Sequence, residues 1–181
     1  MTLRYNAVPE DMGAFTDWHF QNTPETAVAV RHYITRCCLL ILFLCGMAAW
    51  LLPQGTTYFL WEAVIGVAAV CAIAPTRVRQ NHVRQVVKTY SSGANAVFFG
   101  RRVAEITPDG IMTVSDAAIT LHKWVALTRV ANAGSHAYFV FGEIAGLVIA
   151  RGRVTEGNFD AFVAEAERLH AESKRVPLAA R

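Results

Sequence analysis

Two stretches of this chain are apolar on every side, and the rest alternates in shorter periods. Residues 37–52 (CCLLILFLCGMAAWLL) and 57–74 (TYFLWEAVIGVAAVCAIA) form the apolar stretches, and Glu62 is the only charged side chain from 37 to 74. A helix rises about 1.5 Å per residue, so crossing about 30 Å of hydrocarbon takes about 20 residues. Tyr33, Ile34 and Thr35 bring the first run to that length, with Arg36 snorkelling at the membrane edge. The pattern predicts two membrane helices, about 33–52 and 57–74. Pro53 and Pro75 stand just past them, where helices tend to stop. Pro53-Gln54-Gly55-Thr56 is only a turn, so the helices are antiparallel neighbours. A buried hairpin in a soluble protein is the alternative.

Ahead of these runs, Leu3-Arg4-Tyr5-Asn6 reads as a short strand. Pro9-Glu10-Asp11 reads as a helix start, with proline and acids in the first turn. Met12, Phe15, Trp18 and His19 recur at helical spacing to about Gln21, and Pro24 begins a helix that runs into the first span. The aromatic face lies either on the bilayer surface or on a soluble domain. Behind the second run, residues 77–88 form a basic helical extension, and Ser91-Ser92-Gly93 breaks it.

The pattern then changes to short strands. Candidates are 96–99, 102–107, 111–115 after the Pro108-Asp109-Gly110 turn, and 118–122 with Ile119 and Leu121 on one face. His122 falls on the other face and is read as solvent-facing. Trp124, Leu127 and Val130 lead into a strand ending near Asn132, followed by 137–141, a Gly142-Glu143 turn, and 144–150. A final helix is capped at Thr155, with Glu156 in its first turn. It carries Phe159, Phe162, Val163, Ala166 and Leu169 as one stripe, and His170 ends it.

The expected fold class is α+β. A transmembrane helical hairpin precedes a small antiparallel β-barrel or bent sheet, closed by a C-terminal helix. The segments are 1–30 (strand and amphipathic helix), 31–76 (hairpin), 77–95 (basic extension), 96–174 (sheet domain) and 175–181 (a frayed tail). Charge fixes the orientation. Arg31 and Arg36 precede the first span, Arg77, Arg79, Arg84 and Lys88 follow the second, and the turn has no basic residue. Basic residues stay cytoplasmic, so both termini are placed there. Trp50, Tyr58 and Trp61 near the turn suit the opposite interface. The polar first thirty residues give no cleavable signal peptide, so the first span is the expected insertion signal.

In this order of elements the chain resembles the YcxB-like family of bacterial membrane proteins. The likeness rests on the Pro9-Glu10-Asp11 helix start, the two spans with a minimal turn, and Asp109-Gly110-Ile111. It continues through Trp124 with Leu127 and Val130, and Ile149-Ala150-Arg151 ahead of a helix with Phe159 and Phe162. A proline is frequent in the family where this chain has Ala150. The resemblance implies a cytoplasmic domain like a pleckstrin-homology domain, in the bacterial inner membrane. It supplies no catalytic residues.

Only 17% of residues are charged and 54% are hydrophobic, which excludes a disordered chain, and four cysteines do not make a disulfide scaffold. Cys37, Cys38, Cys45 and Cys71 fall inside the spans and read as apolar fillers. His19, His32, His82, His122, His136 and His170 show no metal-ligand spacing, and no phosphate loop, dinucleotide fingerprint or nucleophile elbow appears. No catalytic, cofactor or metal residue is therefore assigned, and the protein is read as non-enzymatic. Glu62 is an interface residue, with a proton or polar contact site as the alternative.

From Pro75 to Val103 there are six basic residues and no acidic ones. Arg84, Lys88, Arg101 and Arg102 are the candidates for lipid headgroups, at about 1 kcal/mol per charge near an anionic surface. Setting topology is the competing role. Net charge is only +3, and aromatics are not interleaved with the cluster, so nucleic acid is not expected. Two functions follow: a membrane-tethered module for an unidentified protein partner, or a sensor of anionic lipid. The bilayer is the first partner. Gly46, Ala48, Ala49, Gly66, Ala68, Ala69 and Ala72 allow close helix packing within the hairpin, or a homo-oligomer.

Overall fold

Strand β1 (Thr2–Ala7) opens the chain, and its burial alternates strictly, with Leu3, Tyr5 and Ala7 inside. The computed structural model describes residues 1–51, 56–142 and 145–175. After β1 come three helices: α1 (Pro9–Asn22), α2 (Pro24–Leu51) and α3 (Thr56–Ser91). Strands β2 (Gly100–Thr107), β3 (Gly110–Ser115), β4 (Ile119–Lys123), β5 (Leu127–Asn132), β6 (His136–Phe141), β7 (Ala145–Ala150) and β8 (Val154–Glu156) precede helix α4 (Phe159–Arg175). The predicted turn at 53–55, the Gly142-Glu143 turn beyond Gly142, and the tail from 176 lie outside the described residues.

The strands form two antiparallel sheets and not a closed barrel. One has the order β4-β3-β2-β1-β8 and the other β5-β6-β7. Single 3-10 turns, Trp124–Ala126 and Arg151–Arg153, carry the chain from one sheet to the other and back, interrupting the ladder that a barrel would need. Strand β1 sits between β2 and β8, with Thr2 opposite Glu105 and Arg4 opposite Glu156. The chain divides into two compact units accordingly. One is Met1–Phe15 with Val86–Arg181, and the other is Thr16–Gln85.

In the sheet unit the core joins both sheets and α4. Leu3, Ala104 and Ile111 meet Ala137, Phe139 and Ile149, with Phe162, Val163 and Ala166 of α4 against them. Phe139 and Phe162 pack edge to face at 6.3 Å. Trp124 is buried, and its indole N–H donates to the Thr107 carbonyl at 3.1 Å, pinning the first crossover. Phe15 lies over Gly146, where a Cβ atom would come within 2.5 Å of the ring. One side of α1 is thereby held on β7.

Several boundaries differ from the sequence expectation. Thr155 and Glu156 belong to β8, and Asn158 caps α4 instead, its side-chain oxygen accepting from the Ala161 N–H at 3.0 Å. Pairing with β1 uses those two residues in a ladder and delays the helix. Gly157 has φ +97°, and a Cβ there would lie 2.7 Å from the Thr2 carbonyl, so a close approach of β1 requires glycine. Residues 96–98 belong to a 3-10 segment (Gly93–Phe98), not to a strand. Helix α4 continues past His170, which is buried.

In the helical unit α3 runs through Pro75 without ending there. A proline removes one backbone donor, and neighbouring turns of a long helix keep theirs. Cys38 and Cys71 have sulfurs 4.0 Å apart, and a Cβ on Gly66 would lie 3.3 Å from Ile41. These contacts set α2 and α3 side by side and antiparallel. Asp17 of α1 accepts from Arg79 of α3, one of the two bonds measuring 2.8 Å, and Phe20 faces His82 at 6.3 Å between ring centres. The Arg79 pKa is raised by that carboxylate. Two aromatics of α1, Phe15 and Phe20, therefore have protein neighbours.

Candidate functional site

The four basic candidates do not share one arrangement. Arg84 and Lys88 are exposed, one turn apart on α3. Arg101 and Arg102 are neighbours on β2, where successive side chains point to opposite faces. Arg101 is exposed. Arg102 stands opposite Tyr5, whose side chain is in the core, so Arg102 is on the inner face.

That inner face turns polar toward β4. Register places Val103, Val114 and Ile119 in one outward row and Met112 and Leu121 in the next. Ile119 is 72% exposed and Leu121 44%. The alternate positions Arg102, Thr113, Ser115, Thr120 and His122 line a groove of about 160 Å³, with Gly146 and Leu147 of β7 and Phe98 completing its walls. The apolar alternation of β4 is thus inverted relative to the sequence reading. Its apolar face looks out, and His122 is half-buried in the groove. Alternation reveals the period of a strand but not which of its faces meets the core.

Hydrogen bonds fix the groove floor. The Thr113 hydroxyl reaches the Thr120 carbonyl at 3.5 Å, and the Ser115 hydroxyl donates to the Ala118 carbonyl at 3.2 Å. The His122 ring stacks on Phe141 at 4.6 Å between centres. Burial lowers the His122 pKa, and the Arg102 guanidinium lowers it further. Arg102 donates one terminal N–H to the Phe98 carbonyl. Its Nε is buried and has no hydrogen-bond partner. The Tyr5 hydroxyl is likewise buried without one, and burial raises the phenol pKa against the opposing effect of Arg102.

A second cluster centres on Asp11, which sequence alone reads as a helix-start acid. Its carboxylate is buried, accepts from the Val8 N–H at 3.1 Å, lies 3.2 Å from Arg153 Nε and is 3.9 Å from His136. The Ser135 hydroxyl is 3.0 Å from the other His136 ring nitrogen. Serine, imidazole and carboxylate therefore stand in sequence. The carboxylate is already held by a cation and a backbone donor, and this cluster ties α1 to the turns at 135 and 151–153. Nothing in the sequence brings Asp11, His136 and Arg153 together, because they come from three distant segments. Among the described residues, no three His, Cys, Asp or Glu side chains assemble as a metal set.

No family model, curated protein or solved structure matches this chain.

Proposed function

We propose that this chain is a two-pass protein of the bacterial inner membrane. It holds its sheet unit at the cytoplasmic face as a non-enzymatic interaction module for a protein partner. The carrying observation is the exposure of the apolar helices. The most apolar 18-residue windows of α2 and α3 are 0% and 6% buried within the chain. A soluble protein would cover such surface, since each square ångström left in water costs about 25 cal/mol. Leu39, Leu40, Leu42, Phe43, Ile65 and Trp61 are all more than half exposed.

The sheet topology supports the orientation. Strand β1 precedes α2, and its partner β2 follows α3. Both flanks of the hairpin therefore belong on one side of a bilayer. The basic residues Arg31, Arg36, Arg77, Arg79, Arg84 and Lys88 favour the cytoplasmic side. Two antiparallel sheets with one closing helix support the YcxB-like and pleckstrin-homology-like reading of the module.

Alkaline carbonate should leave the full chain in the membrane pellet. Protease should cut the sheet unit in inverted vesicles and spare it in spheroplasts. Release by carbonate, or cleavage in spheroplasts, overturns the anchored arrangement. Crosslinked purification from native membranes tests the role. A stoichiometric protein partner supports the module. Self-association with enriched anionic lipid moves the function to lipid sensing, and the next test to Arg84 and Lys88.

A further inference from the structure

The groove over β3 and β4 has a composition that packing does not account for. An inner sheet face is ordinarily apolar, as it is at Leu3, Ala104 and Ile111. Here five inward positions on three strands, beside Ala104 and Ile111, carry an arginine, two threonines, a serine and a histidine. None of the lining residues is acidic, so Arg102 has no counter-ion in the groove. Its Nε is buried with only the Tyr5 hydroxyl beside it, and no acidic side chain in the groove answers its charge. The space, about 160 Å³, is far above the roughly 10–15 Å³ that seats one water by this measure.

We propose that this groove binds a phosphate-class oxyanion, with the Arg102 guanidinium as its charge partner and the Thr120 hydroxyl and the His122 ring N–H as further donors. A guanidinium fork matches the paired oxygens of a phosphate, and a hydroxyl and an imidazole beside it complete a donor set without a competing carboxylate. The Ser115 and Thr113 hydroxyls are bonded to the Ala118 and Thr120 carbonyls and shape the floor. The phosphate can come from a soluble phosphoester or from a lipid headgroup. The site stands apart from the tethering role, since it is built wholly within the sheet unit.

The test uses the full chain and reads the His122 imidazole resonance by NMR. In maltoside micelles, inorganic phosphate is titrated against sodium chloride of matched ionic strength. In nanodiscs, phosphatidylglycerol is compared with phosphatidylcholine, with no phosphate added. A saturable His122 shift with phosphate supports the site and a soluble ligand. A shift confined to phosphatidylglycerol discs supports the site and a headgroup. Arg102→Gln should weaken the response at least tenfold, and Thr120→Val several-fold. Thr120 lies on the exposed edge strand, so this second variant decides the matter if Arg102→Gln fails to fold. No saturable shift in either arm, or full affinity in a folded Arg102→Gln or in Thr120→Val, overturns the proposal.

Discussion

In α4 the apolar residues fall on one stripe, and Phe159, Phe162, Val163 and Ala166 are all buried. In α2 they fall on every side, and Leu39, Leu40, Leu42, Phe43 and Leu44 are 51–64% exposed. One helix finds its apolar environment inside the chain. The other presents apolar surface outward and needs that environment from elsewhere. The contrast teaches that apolar content alone does not locate a core. The period of the apolar positions does.

Substitutions can break this contrast from either side. Phe162→Ala should destabilise the sheet unit most, by about 3–5 kcal/mol, the usual cost of emptying a buried aromatic site. Leu40→Ala should leave it unchanged. Hydrogen exchange of the β6 amides separates the two, and equal effects would place both helices in one kind of environment. Next comes Leu42→Lys, near the middle of the proposed first span, 33–52. A lysine there costs about 2.5–3.5 kcal/mol in the hydrocarbon. Carbonate-resistant protein should drop sharply while β6 exchange stays as in the parent.

Asp11→Asn should cost about 1–3 kcal/mol, because Arg153 and the Val8 N–H lose a charged acceptor at a buried position. Local exchange at the start of α1 should report it first. The smallest effect is a pH dependence. Burial lowers the pKa of both His122 and His170, helped by Arg102 and Lys174 respectively. The unfolded chain then takes up protons that the folded chain refuses. Stability should be full above about pH 6.5 and fall below it toward the folded pKa values. Chemical denaturation at pH 7.5 and 5.5 should show that loss, and His170→Gln should reduce it.

Much of this was legible where the period was strong. Both apolar helices, the α4 stripe and most strands follow from spacing, because side-chain burial imposes it. Partners between distant segments were not legible. Strand β1 reads only as a short strand with no partner named, yet it lies between β2 and β8. The groove was missed for a related reason: Ile119 and Leu121 alternate correctly, but which face turns inward depends on what covers the sheet. Arg102 was singled out for its charge, whereas its neighbours Thr120 and His122 carry no local signal. The proline rule failed at Pro75, since one missing donor does not end a helix of 36 residues.

The position of β1 also sets an order of events during synthesis. Its six residues emerge ahead of the apolar helices, but Glu105 and Glu156, which face Thr2 and Arg4, emerge only after both of them. The first strand must therefore wait, unpaired, until both apolar helices have been made. A ribosome stalled before residue 156 would leave a sheet with an open seam. Chaperones and proteases would meet the protein in that state, and the closing of the β1 seam marks when it leaves their reach.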